Sequence, residues 1–139
     1  MLLNAGASVR ARSGEPTSYL GRHILYGSDE VFILPRGAGD RLPWTYSLDA
    51  HLAYGLKFGP KQDTFITLDV FNLLNFQEIT SVDETYTNSY VNPIINGNKA
   101  DLATLQATDG GLAVKNPNYG NPTSYQAPRQ FRFGIRTTF

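Results

Sequence analysis

The chain has 139 residues, enough for one ordinary domain, and its 12 Lys plus Arg balance 12 Asp plus Glu, which excludes a dedicated nucleic-acid surface with its basic excess. It has no cysteine, so neither a disulfide framework nor a thiolate metal site is available. Its 8 Tyr, 8 Phe, 13 Gly and 8 Pro suit strands and turns better than helices.

The first segment, 2–12, alternates with period two: Leu3, Ala5, Ala7, Val9 and Ala11 against Asn4, Gly6, Ser8, Arg10 and Arg12. This predicts a strand. Nothing before it reads as a secretory leader, because Asn4 interrupts the only apolar run. A long stretch rich in Gly, Pro and charge follows, Ser13–Pro43.

The second strand is predicted over 45–58. Tyr46, Leu48, Ala50, Leu52, Tyr54, Leu56 and Phe58 share one face, and Ser47, Asp49, His51, Ala53, Gly55 and Lys57 share the other. A helical period would scatter both sets around the axis. A short turn at Gly59-Pro60-Lys61 leads to the third strand, 62–75. There Ile66, Leu68 and Val70 oppose Asp63, Thr67 and Asp69, with Phe65 and Phe71 interrupting the polar side. A three-residue turn pairs Phe58 with Gln62, Lys57 with Asp63, His51 with Asp69, Leu52 with Leu68 and Tyr54 with Ile66. The slipped register would set Asp49 against Asp69, a like-charge pair.

A second long stretch, Phe76–Pro128, is full of turn chemistry, including NPIINGN, DGG and NPNYGNPTSYQAP. The last strand, 129–139, alternates Phe131, Phe133, Ile135 and Phe139 with Arg132, Gly134, Arg136 and Thr138. No stretch approaches the roughly 20 apolar residues of a membrane helix, but a barrel strand needs only about 9–11 alternating ones.

Long strands, aromatics near their ends (Trp44, Tyr46, Phe58) and a long–short–long rhythm of connections predict an all-β chain. About four antiparallel strands would form the C-terminal part of a transmembrane outer-membrane β-barrel, with two long extracellular loops. The arginines at 10, 12, 132 and 136 then face a polar lumen and pair with acids there. A soluble β-sandwich also alternates, but its strands are usually shorter, at about 5–6 residues.

Chemistry is sparse. His23 and His51 are too few for a metal site, and Asp29-Glu30 and Asp83-Glu84 read as solvated loop acids. RGAGD (Arg36–Asp40) lacks the Lys-Ser/Thr ending of a phosphate loop, and Ser28 and Ser124 lack a nucleophile-elbow context. We expect no catalytic residue, no metal, no cofactor and no enzyme.

DVFNLLN (Asp69–Asn75), followed by a long loop and PRQFRFGIRTTF, resembles the C-terminal end of TonB-dependent outer-membrane receptors. YLGRH (Tyr19–His23), DEVFILPRGAGDR (Asp29–Arg41), PWTYSLD (Pro43–Asp49) and NPNYGNPTSYQAPRQFRFG (Asn116–Gly134) resemble the Oar-like branch. The terminal strand is similar to the assembly signal of outer-membrane proteins through Arg132, Gly134 and Phe139. It departs from that signal at Thr137, where a bulkier residue is usual.

The resemblance implies a barrel of about 22 strands around a plug, so residues 1–139 read as a C-terminal segment with the plug and the TonB-contacting box absent. It implies localisation in the outer membrane of a Gram-negative bacterium. It also implies contact with outer-membrane lipid and the barrel-assembly machinery, and energised uptake through the TonB system by way of the missing N-terminal part. Two other readings stand beside it. One is an adhesion module using loop aromatics such as Tyr86, Tyr90, Tyr119 and Tyr125. The other is a small barrel to which several copies lend strands.

Overall fold

The computed structural model describes residues 2–59 and 62–138, with side chains over 3–57 and 63–138. The chain divides into two compact units, and each is described by itself. No described helix is long and apolar enough to cross a membrane, which says nothing of strands.

The first unit gathers Met1–Ser13, Trp44–Glu78 and Gln126–Phe139. Its four strands are β1 (Leu2–Arg12), β4 (Thr45–Gly59), β5 (Gln62–Phe71) and β9 (Gln130–Thr138), and they form one antiparallel sheet in the order β1-β4-β5-β9. The register keeps the period-two split intact across every strand. Val9 pairs with Leu48, Leu52 with Leu68 and Leu68 with Phe133, while Gly6 pairs with His51, His51 with Asp69 and Asp69 with Arg132. One face is therefore apolar across all four strands, and much of it is exposed: Val9, Phe133 and Ile135 are 77%, 76% and 78% exposed, while Val70 near the end of β5 is buried.

The opposite face is polar or small apart from Phe65 and Phe71. Gly134 sits so close to Thr67 that an added Cβ would come within 2.6 Å of the Thr67 hydroxyl oxygen. That hydroxyl donates to the Gly134 carbonyl at 3.3 Å.

The expected pairs Lys57–Asp63, His51–Asp69, Leu52–Leu68 and Tyr54–Ile66 are all present. The turn differs: Gln62 pairs with Gly59 rather than Phe58, after a register shift between Lys57 and Gly59. Pro60, Lys61, the Phe58 side chain and Phe139 lie outside the described residues. The third strand also stops early, at Phe71 rather than residue 75. Asn72 and Asn75 take left-handed backbone angles (φ 51 and 56), which an extended strand cannot contain and which Asn tolerates better than most residues.

The second unit gathers Gly14–Pro43 and Ile79–Tyr125. These two stretches are not the irregular loops expected from their composition; together they build a domain. Its strands are β2 (Leu20–His23), β3 (Gly27–Phe32), β6 (Ile79–Val82), β7 (Thr85–Tyr90) and β8 (Pro122–Tyr125), with a 3₁₀ helix at Lys99–Thr104 capped by Asn98. β2 pairs antiparallel with β3 and parallel with β7, so the two distant stretches share one sheet, and β6 pairs with β8.

The core of this unit is Tyr19, Val31, Ile33, Leu34, Val91, Leu102 and Leu105. The only polar residue described at 0% exposure, Thr87, is satisfied: its hydroxyl donates to the Val114 carbonyl at 2.7 Å and accepts from the Ser89 N–H at 3.1 Å. Gly14 is dictated by space, since a Cβ there would lie 1.9 Å from the Leu42 carbonyl oxygen.

Candidate functional site

Period two places every Asp, Lys, Arg and His of the four-stranded sheet on one face, and the register decides which of them meet. On β4 and β5, Asp69 receives two partners. The His51 Nδ1 lies 2.6 Å from its Oδ1, within hydrogen-bond distance, and the Arg132 Nε–H donates to its Oδ2 at 2.9 Å. The Arg132 guanidinium also lies over the Phe71 ring, 5.2 Å from its centroid. The interrupting aromatic of the polar face thus serves as a platform for a cation.

Asp49 is held more completely. Its Oδ2 accepts from Arg10 Nη2 at 2.8 Å, and its Oδ1 accepts from the Ser47 hydroxyl at 2.8 Å and the Asn72 backbone N–H at 2.9 Å. The expected pairing of inward arginines with acids thus occurs at Arg10 and Arg132. Arg12 has a partner of its own, and Arg136 makes no ion pair among the described residues.

Asn72 is the pivot where β5 ends. It is 7% exposed. Its Nδ2 donates to the carbonyls of Phe76 (2.8 Å) and Ala127 (2.9 Å), and its Oδ1 accepts from the Phe76 N–H at 3.0 Å. Three residues on, the Asn75 Oδ1 accepts from the Arg129 N–H at 3.0 Å, and the Arg129 guanidinium donates to the Leu73 carbonyl at 3.3 Å. Gln126 completes the clasp: its Nε2 donates to the Tyr46 carbonyl at 2.9 Å, and its Oε1 accepts from the Glu78 N–H at 3.2 Å.

The DVFNLLN and QAPRQ segments thus knit three strand ends together. Sequence reasoning missed Asn72, Asn75, Gln126 and Arg129. Two asparagines three apart, directly after an alternating run, were the available signal for the turn. Nothing local marks Gln126.

These strand ends enclose a cleft of about 330 Å³ on the polar face, lined among others by Arg10, Arg12, Asp49, Phe71, Asn72 and Gln130. Among the described residues no group of three His, Cys, Asp or Glu is placed to hold a metal ion.

Of the expected assembly-signal residues, Arg132 is engaged with Asp69, Gly134 packs on Thr67, and Phe139 is outside the described residues. Of the expected contact tyrosines, Tyr86 and Tyr119 are turned inward. They form a three-ring cluster with Tyr19, with centroids 5.3–5.7 Å apart. Packing has claimed these two rings, whereas Tyr90 and Tyr125 remain exposed.

Comparison with known proteins gives one informative match. The chain is 43% identical, over 152 aligned positions, to the TonB-dependent transporter Oar of Myxococcus xanthus. It is similar to a segment of an Oar-like protein. The match takes in 98% of this chain but 14% of the relative, so the chain spans a small part of the protein it matches. That relative is named as a transporter, not an enzyme. No family model matches, and no solved structure matches.

Proposed function

We propose that this chain is a barrel-wall segment of a TonB-dependent outer-membrane transporter, contributing four strands to the wall and two loop stretches outside the cell. The observation that carries the reading is the two-faced sheet, apolar and largely exposed on one side and lined with charges, most of them paired, on the other across four registered strands. A soluble sheet would cover that apolar face with a second layer. A strand in a barrel wall turns it to lipid and its polar face to the lumen. Similarity to a segment of Oar supports the same placement.

In this reading β1 and β9 pair with strands beyond this chain, because open sheet edges do not occur within lipid. Energised uptake belongs to the whole transporter through its TonB-contacting part. Arg132, Gly134 and Phe139 serve recognition by the assembly machinery. The strand end at Thr138 faces the periplasm, and the two long stretches face outward.

The test is thiol labelling in intact cells. A charged, membrane-impermeant reagent should modify Ser8→Cys on the polar face and spare Val9→Cys and Phe133→Cys on the apolar face. Equal labelling of both faces would sink the placement. A blot of outer membranes with an antibody to Asp83–Leu105 should show a band several-fold heavier than the 15.4 kDa of this chain.

One observation favours a second role, binding by the loop unit. The β2–β3 turn holds Ile24, Leu25 and Tyr26 at 65%, 79% and 74% exposure. It is made rigid by the His23 Nδ1, which accepts from the N–H groups of Leu25 (3.1 Å) and Tyr26 (3.3 Å). Leu25→Asp should abolish cell-surface adhesion without altering assembly. Unchanged adhesion would remove this role.

A further inference from the structure

The loop unit holds a cavity of about 610 Å³, within the range of about 300–1,000 Å³ usual for small-molecule sites. Its walls come from the residues just after β7, from the 3₁₀ helix Lys99–Thr104 and from the turn that follows the helix. Backbone bonds fix these pieces against one another. Val91 bridges Ala107, and the Thr108 N–H donates to the Tyr90 carbonyl at 2.8 Å. Gln106 bridges Leu112 across a turn closed by the Ala107 N–H on the Gly111 carbonyl at 2.8 Å. Ile94 and Leu105, which line the cavity, pack in or against the buried core. The cavity is pre-formed, so a ligand need order little of the protein.

The lining is polar with little charge. Its one charged side chain among the described residues is Asp101, whose Oδ2 already accepts the Asn98 N–H at 2.7 Å in the helix cap. No Lys, Arg or His is described along it, so an anion finds no cation there. The side chains of Asn92, Gln106 and Thr108 are exposed and make no hydrogen bond among the described residues. Alternation puts Gln106 and Thr108 on one side, and the Val91–Ala107 bridge sets Asn92 across from Gln106. Each amide offers an acceptor oxygen beside an NH₂ donor, and the threonine hydroxyl does both.

A matching ligand donates and accepts at neighbouring positions without carrying charge. Adjacent hydroxyls on a sugar ring do this, and the C–H face of such a ring suits Ile94 and Leu105. An extended peptide would need a free strand edge. Here the Val91 backbone is bonded to Arg22 and bridged to Ala107, and Gln106 is bridged to Leu112.

We propose that this cavity binds a neutral saccharide unit, held by Asn92, Gln106 and Thr108 over Ile94 and Leu105. The site lies wholly within the loop unit. Its failure leaves the barrel-wall reading untouched, and equal labelling of the two sheet faces leaves the site untouched.

The experiment is saturation-transfer NMR on the native outer-membrane product in detergent. The probes are glucose, galactose, mannose and N-acetylglucosamine, with N-acetylneuraminate (which carries a carboxylate) and trialanine in parallel. At least one of the four neutral sugars should bind, and equally well at low and high salt, since no charge pair is involved. Asn92→Ala and Gln106→Ala should each weaken binding about threefold to tenfold, the loss of one or two ordinary hydrogen bonds. Asn88→Ala, exposed on β7 but outside the cavity, should leave binding unchanged.

Should an alanine variant assemble poorly, Gln106→Glu keeps the shape, removes the NH₂ donors and should weaken binding by a similar factor. Binding of none of the four sugars, or equal binding by the Asn92/Gln106 double alanine variant, overturns the proposal. Amide-dependent binding of N-acetylneuraminate or trialanine without any neutral sugar overturns the class named.

Discussion

The two units of this chain solve the same problem, what to do with apolar side chains, in opposite ways. The four-stranded sheet points its apolar residues away from itself: Phe133, Ile135 and Val9 are more than three-quarters exposed. The loop unit points its own inward, with Ile33 at 0%, Val91 at 1% and Leu34 at 2%. Their charges differ too: the loop stretches hold eight Asp and Glu against five Lys and Arg, the sheet unit four against seven. On the proposed reading, an aqueous domain and a lipid-facing wall need these opposite arrangements, because each hides apolar surface from water by a different route.

The contrast can be broken most sharply at Ile33. Ile33→Ala removes the side chain at the centre of the loop-unit core and should cost about 2–5 kcal/mol. Limited proteolysis should then cut within Gly14–Pro43 while the outer-membrane band stays heat-modifiable. Loss of both together would show that the units are not independently stable.

The converse substitution is Phe133→Arg. On a face in lipid, it should cost about 2–4 kcal/mol and lower the yield of assembled protein. Leu25→Asp, equally exposed but in the loop unit, should leave assembly untouched. If Phe133→Arg assembles normally, the apolar face does not meet lipid.

A smaller effect is expected at Asn72. Asn72→Ala leaves the Phe76 N–H and two carbonyls without their partner, at roughly 1–3 kcal/mol. It should raise hydrogen exchange at Phe76 and Ala127 but not in the Tyr19 cluster.

The smallest effect is a dependence on alkaline pH confined to the loop unit. Burial, with Tyr19 next in order, raises Tyr119 and Tyr86 above the ordinary tyrosine value. Both stay protonated in the folded unit where the unfolded chain ionises. The folded state therefore binds more protons above about pH 10, and stability that is complete below that pH falls as it rises. Lys99, raised chiefly by its bond to Asp40, has the same sign but is exposed and screened. Melting temperature followed from pH 8 to 11 should fall, and fall less in Tyr119→Phe.

The register of β4 on β5 was legible because one slip would have set Asp49 against Asp69, and the observed His51–Asp69 and Lys57–Asp63 pairs are those expected. The end of β5 was misread by four residues because hydrophobicity continues through Leu73 and Leu74 after the backbone has turned. The loop unit was hidden more deeply. Its β2–β7 pairing joins Leu20 to Thr85, and composition between turns gives no sign of such a partner.

The sequence by itself determined which faces exist, since period two is a local property of each strand and puts Arg10, Asp49, Asp69 and Arg132 on one side without reference to any neighbour. Only the tertiary structure decided which of those charges share a carboxylate, that Asn72 and Gln126 tie the strand ends, and that Tyr86 and Tyr119 belong to a core. Those outcomes depend on residues many positions apart coming within about 3 Å of each other, and no pattern along the chain encodes that distance.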